Sequence, residues 1–576
     1  MYRLILSSLL LLSTIQVFAQ VPEPGPEPEP LDPRFIKTAS VELSLGTVVG
    51  NVMNKVESFG GIPYADAPVG KLRLRPPQRR TEPWGKFDAT GPAAACPQVF
   101  ANPEDENLLF SLVGGLTNHP FVQKVTGQTE DCLTITVARP EGVKAGDKLP
   151  VLYWIYGGGY QFGWSSMYDG TGLVNHGVRM GEPFIFVAVN YRVAGFGFMP
   201  GKEVLEDGAT NLGLRDQRMG LEWVADNIAA FGGDPDKVTI WGESAGAFSV
   251  FNQLVLYGGN HTYKGNPLFR GGIMSSGSII PSLPIDGEKA QAVYDAVVVS
   301  AGCGAEWDSL TCLREKDYDT FLNAVSAAPS FLSYRALAFS YFPQVDGDVL
   351  PDSPEALLSS GQFAKVPFLI GDMEDEGTLV AILQPNLTTT DSLVDYFHKL
   401  YYPDAPIDKI TELVNLYPDG VKGVVAGAPY RTGLLNDIYP GFKRRASIFG
   451  DLVFTHPRRF LLEYMAENYP ETPTWSYIGS WNHGTPVLGT FHASDLLQTF
   501  YGTWNNYAAR STRTYYVNFV RNLDPNVGAE GYPNWPRWSQ GKRLIQFFAN
   551  RVGFKKDDYR QEISDFFGNN IASFRF

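Results

Sequence analysis

The stretch Val238-Thr239-Ile240-Trp241-Gly242-Glu243-Ser244-Ala245-Gly246 decides the reading of this chain. Thr239 and Ile240 suit a buried strand, and the unbroken Ala-rich run from Ala245 to Leu256 propagates a helix. Between them lies a G-x-S-x-G turn. Its two glycines let helix and strand crowd together, so that Ser244 is held in a strained conformation with its hydroxyl projecting as a nucleophile. Five letters alone are weak in a chain of 576 residues with 59 glycines; the strand before the turn and the helix after it give the pattern its weight.

Working outward, short apolar runs alternate with helical ones. A hairpin over 41–52 leads to expected strands at 133–137, 151–156, 184–190, 238–241, 272–274, 367–370 and 475–478. Several are continuous apolar runs, as strands buried on both faces require. Helical stretches fall between them, such as 214–231, where Leu221, Val224, Ala225 and Ile228 share one face. This alternation predicts an α/β fold with a large, mostly parallel central sheet flanked by helices. No repeat, heptad run or polar linker divides the chain after residue 40, so residues 37–576 are expected to form a single catalytic domain. Reacting groups in such sheets collect at the carboxyl ends of strands.

Residues 1–19 carry Arg3, an apolar run from Leu4 to Leu12 and then Val17-Phe18-Ala19, the pattern of a secretory signal peptide; the alternative, a membrane anchor, needs a longer apolar run. Residues 20–36 alternate proline with acidic groups and read as an extended, solvated arm. Secretion suits the four cysteines, which predict two disulfides but leave the pairing open. Asn260 and Asn386 head glycosylation sequons. A net charge of −14 repels nucleic acid and anionic membranes, and hydrophobic residues at 44% are ample for apolar pockets. Neutral or apolar substrates fit best.

A serine hydroxyl needs a base in reach, and the base needs an acid to hold its tautomer. Of the seven histidines, those after Ser244 are His261, His398, His456, His483 and His492. His492 follows the last expected strand and precedes a helix, and His483 is the next candidate by spacing. For the acid, the strand at 366–370 runs into Gly371-Asp372-Met373-Glu374-Asp375-Glu376-Gly377, and position alone does not choose among its four carboxylates. After another apolar strand comes Gly157-Gly158-Gly159. Here backbone N–H groups can converge on a developing alkoxide; Gly158 and Gly159 with Ala245 would form a three-donor oxyanion hole, the alternative being a plain glycine turn.

These residues resemble the type B carboxylesterase and lipase family, the α/β-hydrolase group that includes cholinesterases, and within it the fungal lipases and sterol esterases. The likeness runs from about residue 41 to 500 through Phe59-Gly60-Gly61-Ile62-Pro63-Tyr64-Ala65, Pro68-Val69-Gly70-Lys71-Leu72-Arg73, Glu130-Asp131-Cys132-Leu133 and the block from Asn211 to Gly246. The resemblance implies an α/β-hydrolase fold with Ser244 as nucleophile, Glu376 as acid, His492 as base and Gly158, Gly159 and Ala245 as oxyanion donors. It also implies the pairings Cys96 to Cys132 and Cys303 to Cys312, and a supporting role for Ser276.

The implied reaction is ester hydrolysis through an acyl-enzyme, with no metal and no organic cofactor. The loop between Cys96 and Cys132 mixes apolar residues such as Leu108, Leu109, Phe110 and Leu112 with acidic ones. In the fungal lipases the equivalent loop is a lid, which implies lipid esters and a lipid–water interface; the alternative is a fixed apolar loop. That loop contains no Trp, whereas cholinesterases use one there to hold a quaternary ammonium, so choline esters are not expected. Two other readings stand beside acylglycerol or steryl esters: an esterase for plant phenolic or pigment esters, and a non-catalytic adhesion protein. Oligomeric state is not legible.

Overall fold

The computed structural model describes residues 37–100, 117–118, 120–331, 333–500 and 505–576. The signal segment 1–19, the arm 20–36 and the apolar lid residues from Leu108 to Leu116 lie outside the described residues. A 13-stranded sheet organises the rest. Its strands are β1 (Thr38–Leu43), β2 (Gly46–Met53), β3 (Val56–Pro63), β4 (Gly85–Asp88), β5 (Thr134–Pro140), β6 (Leu149–Ile155), β7 (Ile185–Val189), β8 (Gly233–Glu243), β11 (Gly271–Ser275), β12 (Phe368–Met373), β13 (Thr474–Gly479), β14 (Arg543–Phe548) and β15 (Arg551–Lys556); β9 (Thr262–Tyr263) and β10 (Asn266–Pro267) form a separate ribbon.

The order is β1-β2-β3-β5-β7-β6-β8-β11-β12-β13-β14-β15, with β4 beside β2. From β7 to β14 every neighbour is parallel, and antiparallel pairing is confined to the flanks, where β2, β3, β5 and β7 pair in series and β15 closes the other edge. The central strands are buried throughout, as their apolar runs require.

Successive strand residues face opposite sides. Trp241 packs against Trp154, Phe500 and Tyr516 at centroid distances of 4.5, 4.8 and 5.3 Å, on the side of helix Tyr507–Asn522. Its neighbour Ile240 is in register with Gly272, where a Cβ would meet Val250 of helix Ala245–Gly259 at 3.3 Å. Both faces of β8 are therefore sealed, which holds its C-terminal end rigid. Residues 39–576 make one compact unit.

Four strands of the large sheet escaped the sequence reading, among them the short, mostly exposed β4, which no apolar run marks. In β3, Gly60-Gly61 breaks the apolar alternation, and the register with β5 shifts between Phe59 and Ile62 as in a β-bulge. The edge strand β15 is largely exposed, so no apolar run marks it, and β14 stands after a polar, proline-rich stretch. The helix expected over 214–231 is helical over Leu212–Asn227 and tightens to a 3₁₀ turn over Ile228–Phe231. Cys96 is bonded to Cys132 and Cys303 to Cys312, with no free cysteine. Asn260 and Asn386 are both exposed. No helix among the described residues is long and apolar enough to cross a membrane.

Candidate active site

Ser244 sits where β8 gives way to helix Ala245–Gly259, at φ 55° and ψ −124°, a region that L-residues rarely enter. Crowding on both sides holds it there. A Cβ at Gly242 would lie 2.2 Å from the Gly246 carbonyl, and one at Gly246 would lie 2.0 Å from the Ile155 oxygen at the end of β6. The Ser244 N–H donates to the Ser275 oxygen at the end of β11 (2.9 Å), so the turn is tied to both neighbouring strands.

The imidazole of His492 reaches Ser244 from a loop after β13. Its Nε2 is 2.8 Å from Ser244 Oγ, and its Nδ1 is 2.6 Å from Glu376 Oε2. Glu376 follows β12, and its other oxygen accepts the Met373 N–H at 2.6 Å. Phe454 packs on the imidazole at 4.8 Å. His483 is exposed and has no place in this chain of bonds.

Each of the other carboxylates near Glu376 has its own partner. Asp372 binds Arg458 (2.7 Å) and Glu374 binds Arg431. Asp375 accepts the N–H of Tyr430 with one oxygen and that of Thr490 with the other, both at 2.8 Å, while its own N–H donates to the Thr490 oxygen at 3.0 Å. Asp375 thus joins the acid loop to the histidine loop two residues before His492. Sequence reasoning did not single it out, because its partners Tyr430 and Thr490 come from distant segments.

The glycine loop lies against the elbow: a Cβ at Gly157 would come within 2.9 Å of Ser244 Cβ. Gly158, at φ 105°, has a conformation closed to other residues. The N–H groups of Gly158, Gly159 and Ala245 have no backbone acceptor among the described residues, which leaves them free to bind an oxyanion. Beside them stands an aromatic wall that sequence reading missed: Phe100 stacks on Phe162 (5.5 Å) and Phe162 on Phe331 (5.4 Å), all half-buried. Phe331 borders Gly159, where a Cβ would meet its ring at 2.9 Å. These rings come from three distant segments, so no local pattern announces them. Ser276 is buried with its hydroxyl unpartnered among the described residues and bonds to none of Ser244, His492 and Glu376.

Electrostatics favours the charged imidazole. Burial disfavours it, but Glu376, Glu243 at 3.6 Å and Asp495 outweigh burial and raise His492 to about 9. Burial in turn pushes Glu243 well above the usual carboxylate range and Asp495 to about 7, with the neighbouring carboxylates adding to both. Of the nearby carboxylates, Glu376 alone bonds to the imidazole.

A serine, an imidazole and a carboxylate in series at the C-terminal edge of a mixed, helix-flanked sheet mark the α/β-hydrolase class. The chain belongs to the carboxylesterase family, whose model matches residues 37–564. It is 55% identical over 536 residues to the secreted triacylglycerol lipase LIP1 of Gibberella zeae, covering 93% of this chain and 90% of that one. It is 41% identical to lipase 4 of Diutina rugosa, covering 90% and 93%. Among solved structures, EstA of Aspergillus niger superposes with a TM-score of 0.78 at 27% identity, covering 94% of this chain and 99% of that one. The protein is a secreted carboxylic-ester hydrolase.

Proposed function

We propose that this protein is a lipase that cleaves acylglycerols and related long-acyl esters, with Ser244 as nucleophile, His492 as general base and acid, Glu376 as the orienting carboxylate, and Gly158, Gly159 and Ala245 as oxyanion donors. The observation that carries the reading is the unbroken series from Ser244 Oγ through His492 to Glu376. His492 takes the Ser244 proton as the oxygen attacks the ester carbonyl, and Glu376 stabilises the imidazolium that forms. The tetrahedral oxyanion rests on the three N–H groups and collapses as His492 protonates the leaving alcohol. Water, activated by the same imidazole, then releases the acid and restores Ser244.

The aromatic wall of Phe100, Phe162 and Phe331 supports an apolar acyl chain, and the names of the relatives above support a lipid ester. We place its action at a lipid–water interface on the same grounds. Residues 37–576 serve as one catalytic domain in this reading.

Two measurements test it. A fluorophosphonate should label the wild-type enzyme and fail on Ser244→Ala; equal labelling would refute the nucleophile. On a panel of p-nitrophenyl acetate to palmitate, triolein, cholesteryl oleate and methyl ferulate, run below and above micelle concentration, the long-acyl esters should lead. Preference for methyl ferulate would replace the lipase reading with a phenolic esterase.

A further inference from the structure

Glu374, two residues before Glu376, opens onto a cavity of about 310 Å³ in which neither Ser244 nor His492 takes part. Three cations line it: Arg431, Lys555 and Arg560. This convergence stands out in a chain with a net charge of −14. Arg431 is neutralised by Glu374, and Arg560 by Asp451 through two bonds of 2.6 Å. Asp557 is already taken by Arg458 (2.6 Å) and Arg459 (2.8 Å), and Asp558 by Lys556 (2.9 Å). Lys555 is left over. Among the described residues no carboxylate lies within ion-pair distance of it, and its ammonium rests 4.1 Å from the centre of the Tyr559 ring. Burial and the nearby Arg560 and Arg431 charges lower its pKa, while Glu374 and Asp557 raise it in part.

The cavity therefore holds one uncompensated positive charge at a half-buried position. Such a charge is costly unless a counter-ion satisfies it. The rest of the lining is Ala426, Ile478 from β13, Val425, which is 52% exposed, and the two tyrosines Tyr430 and Tyr559, so an apolar strip of Val425, Ala426 and Ile478 runs beside the cations. At the lower end of the ~300–1,000 Å³ typical of ligand sites, the space suits a small molecule.

We propose that this cavity binds one carboxylate monoanion carrying a short apolar stem, its head group on Lys555 and Arg431 and its stem along Val425 and Ile478. The site is separate from the reacting serine, and its size selects a short-chain carboxylic acid rather than the long-chain acids released from the proposed substrates. A phosphate dianion would leave one of its two charges uncompensated and would waste the apolar wall.

The test uses full-length enzyme capped at its reactive serine by diethyl phosphate, which fills the reaction centre. Loss of esterase activity on capping checks the Ser244 reading independently. Hexanoate titrated into the capped enzyme at pH 7 by isothermal calorimetry should bind with one-to-one stoichiometry. Lys555→Met, which keeps the stem over Tyr559, should weaken it at least tenfold, and Lys555→Arg should restore it to within threefold. Hexanol should bind at least tenfold more weakly than hexanoate. Absence of binding to the capped enzyme, or unchanged affinity in Lys555→Met, overturns the site; inorganic phosphate binding more tightly than hexanoate overturns the carboxylate assignment.

Discussion

Replacing Glu376 by Gln keeps the shape of the acid and removes its charge. The structure gives this change a size. His492 is raised from 6.5 to about 9 even though burial acts the other way; at about 1.36 kcal/mol per pKa unit, that gap is roughly 3.4 kcal/mol of net preference for imidazolium, a factor of about 300. Glu376 leads the causes that raise it and makes the 2.6 Å bond. The transition states for attack and for leaving-group departure both carry imidazolium, so Glu376→Gln should lower kcat by about 10² to 10³. KM should change little, because Glu376 is 2% exposed and has no surface for substrate. The assay is p-nitrophenyl butyrate hydrolysis from pH 5 to 10. Because the working base is neutral imidazole, the acid limb of kcat against pH should lie above 6.5 in the wild type and move toward or below it in the variant. A kcat within tenfold of wild type, or an acid limb that does not move, would refute the argument.

Asp375→Ala leaves the N–H groups of Tyr430 and Thr490 without their acceptor and frees the histidine loop. At ~1–3 kcal/mol for each unpaired buried group, unfolding by urea should show a loss of about 2–6 kcal/mol, and kcat should fall more than KM rises. Gly246→Ala drives a Cβ to 2.0 Å from the Ile155 oxygen, so little folded protein should be recovered, as read by circular dichroism. Phe331→Ala removes the end of the aromatic wall; KM for p-nitrophenyl octanoate should rise severalfold while that for acetate stays near wild type. For pH, the folded His492 lies at about 9 against an ordinary 6.5, and folded Asp375 and Asp495 lie at about 7 against 3.8. The stability from His492 is complete below pH 6.5 and disappears as pH rises through 9; that from the two Asp residues is complete below 3.8 and disappears through 7. These three have the same sign, whereas His456 and His176, lowered to about 3 and 4, and Lys289, lowered to about 7, act the other way; the difference in calorimetric midpoint between wild type and His492→Asn should therefore shrink as pH rises from 6.5 through 9, and a widening difference would contradict the His492 shift.

Much of the site was legible because its chemistry depends on local backbone. The elbow at Ser244 and the glycine run at 157–159 work through positions where a side chain cannot fit, and glycine is the only residue that marks such positions in a sequence. The parallel core strands declared themselves as apolar runs for a similar reason, being buried on both faces. What sequence position left open was pairing across the chain. His483 and His492 differ by nine positions, and Asp372, Glu374, Asp375 and Glu376 lie within five positions across the end of β12; which of them meets Ser244 depends on where β12 and β13 end relative to β8. The fold assigns each carboxylate a different partner, and only Glu376 receives the imidazole. The Phe100, Phe162 and Phe331 wall, the Asp375 clamp and the unpaired Lys555 likewise exist only once distant segments are packed together. A residue's own conformational limits are written in its immediate neighbours, whereas its charge balance and contacts depend on groups that the chain brings close in space alone.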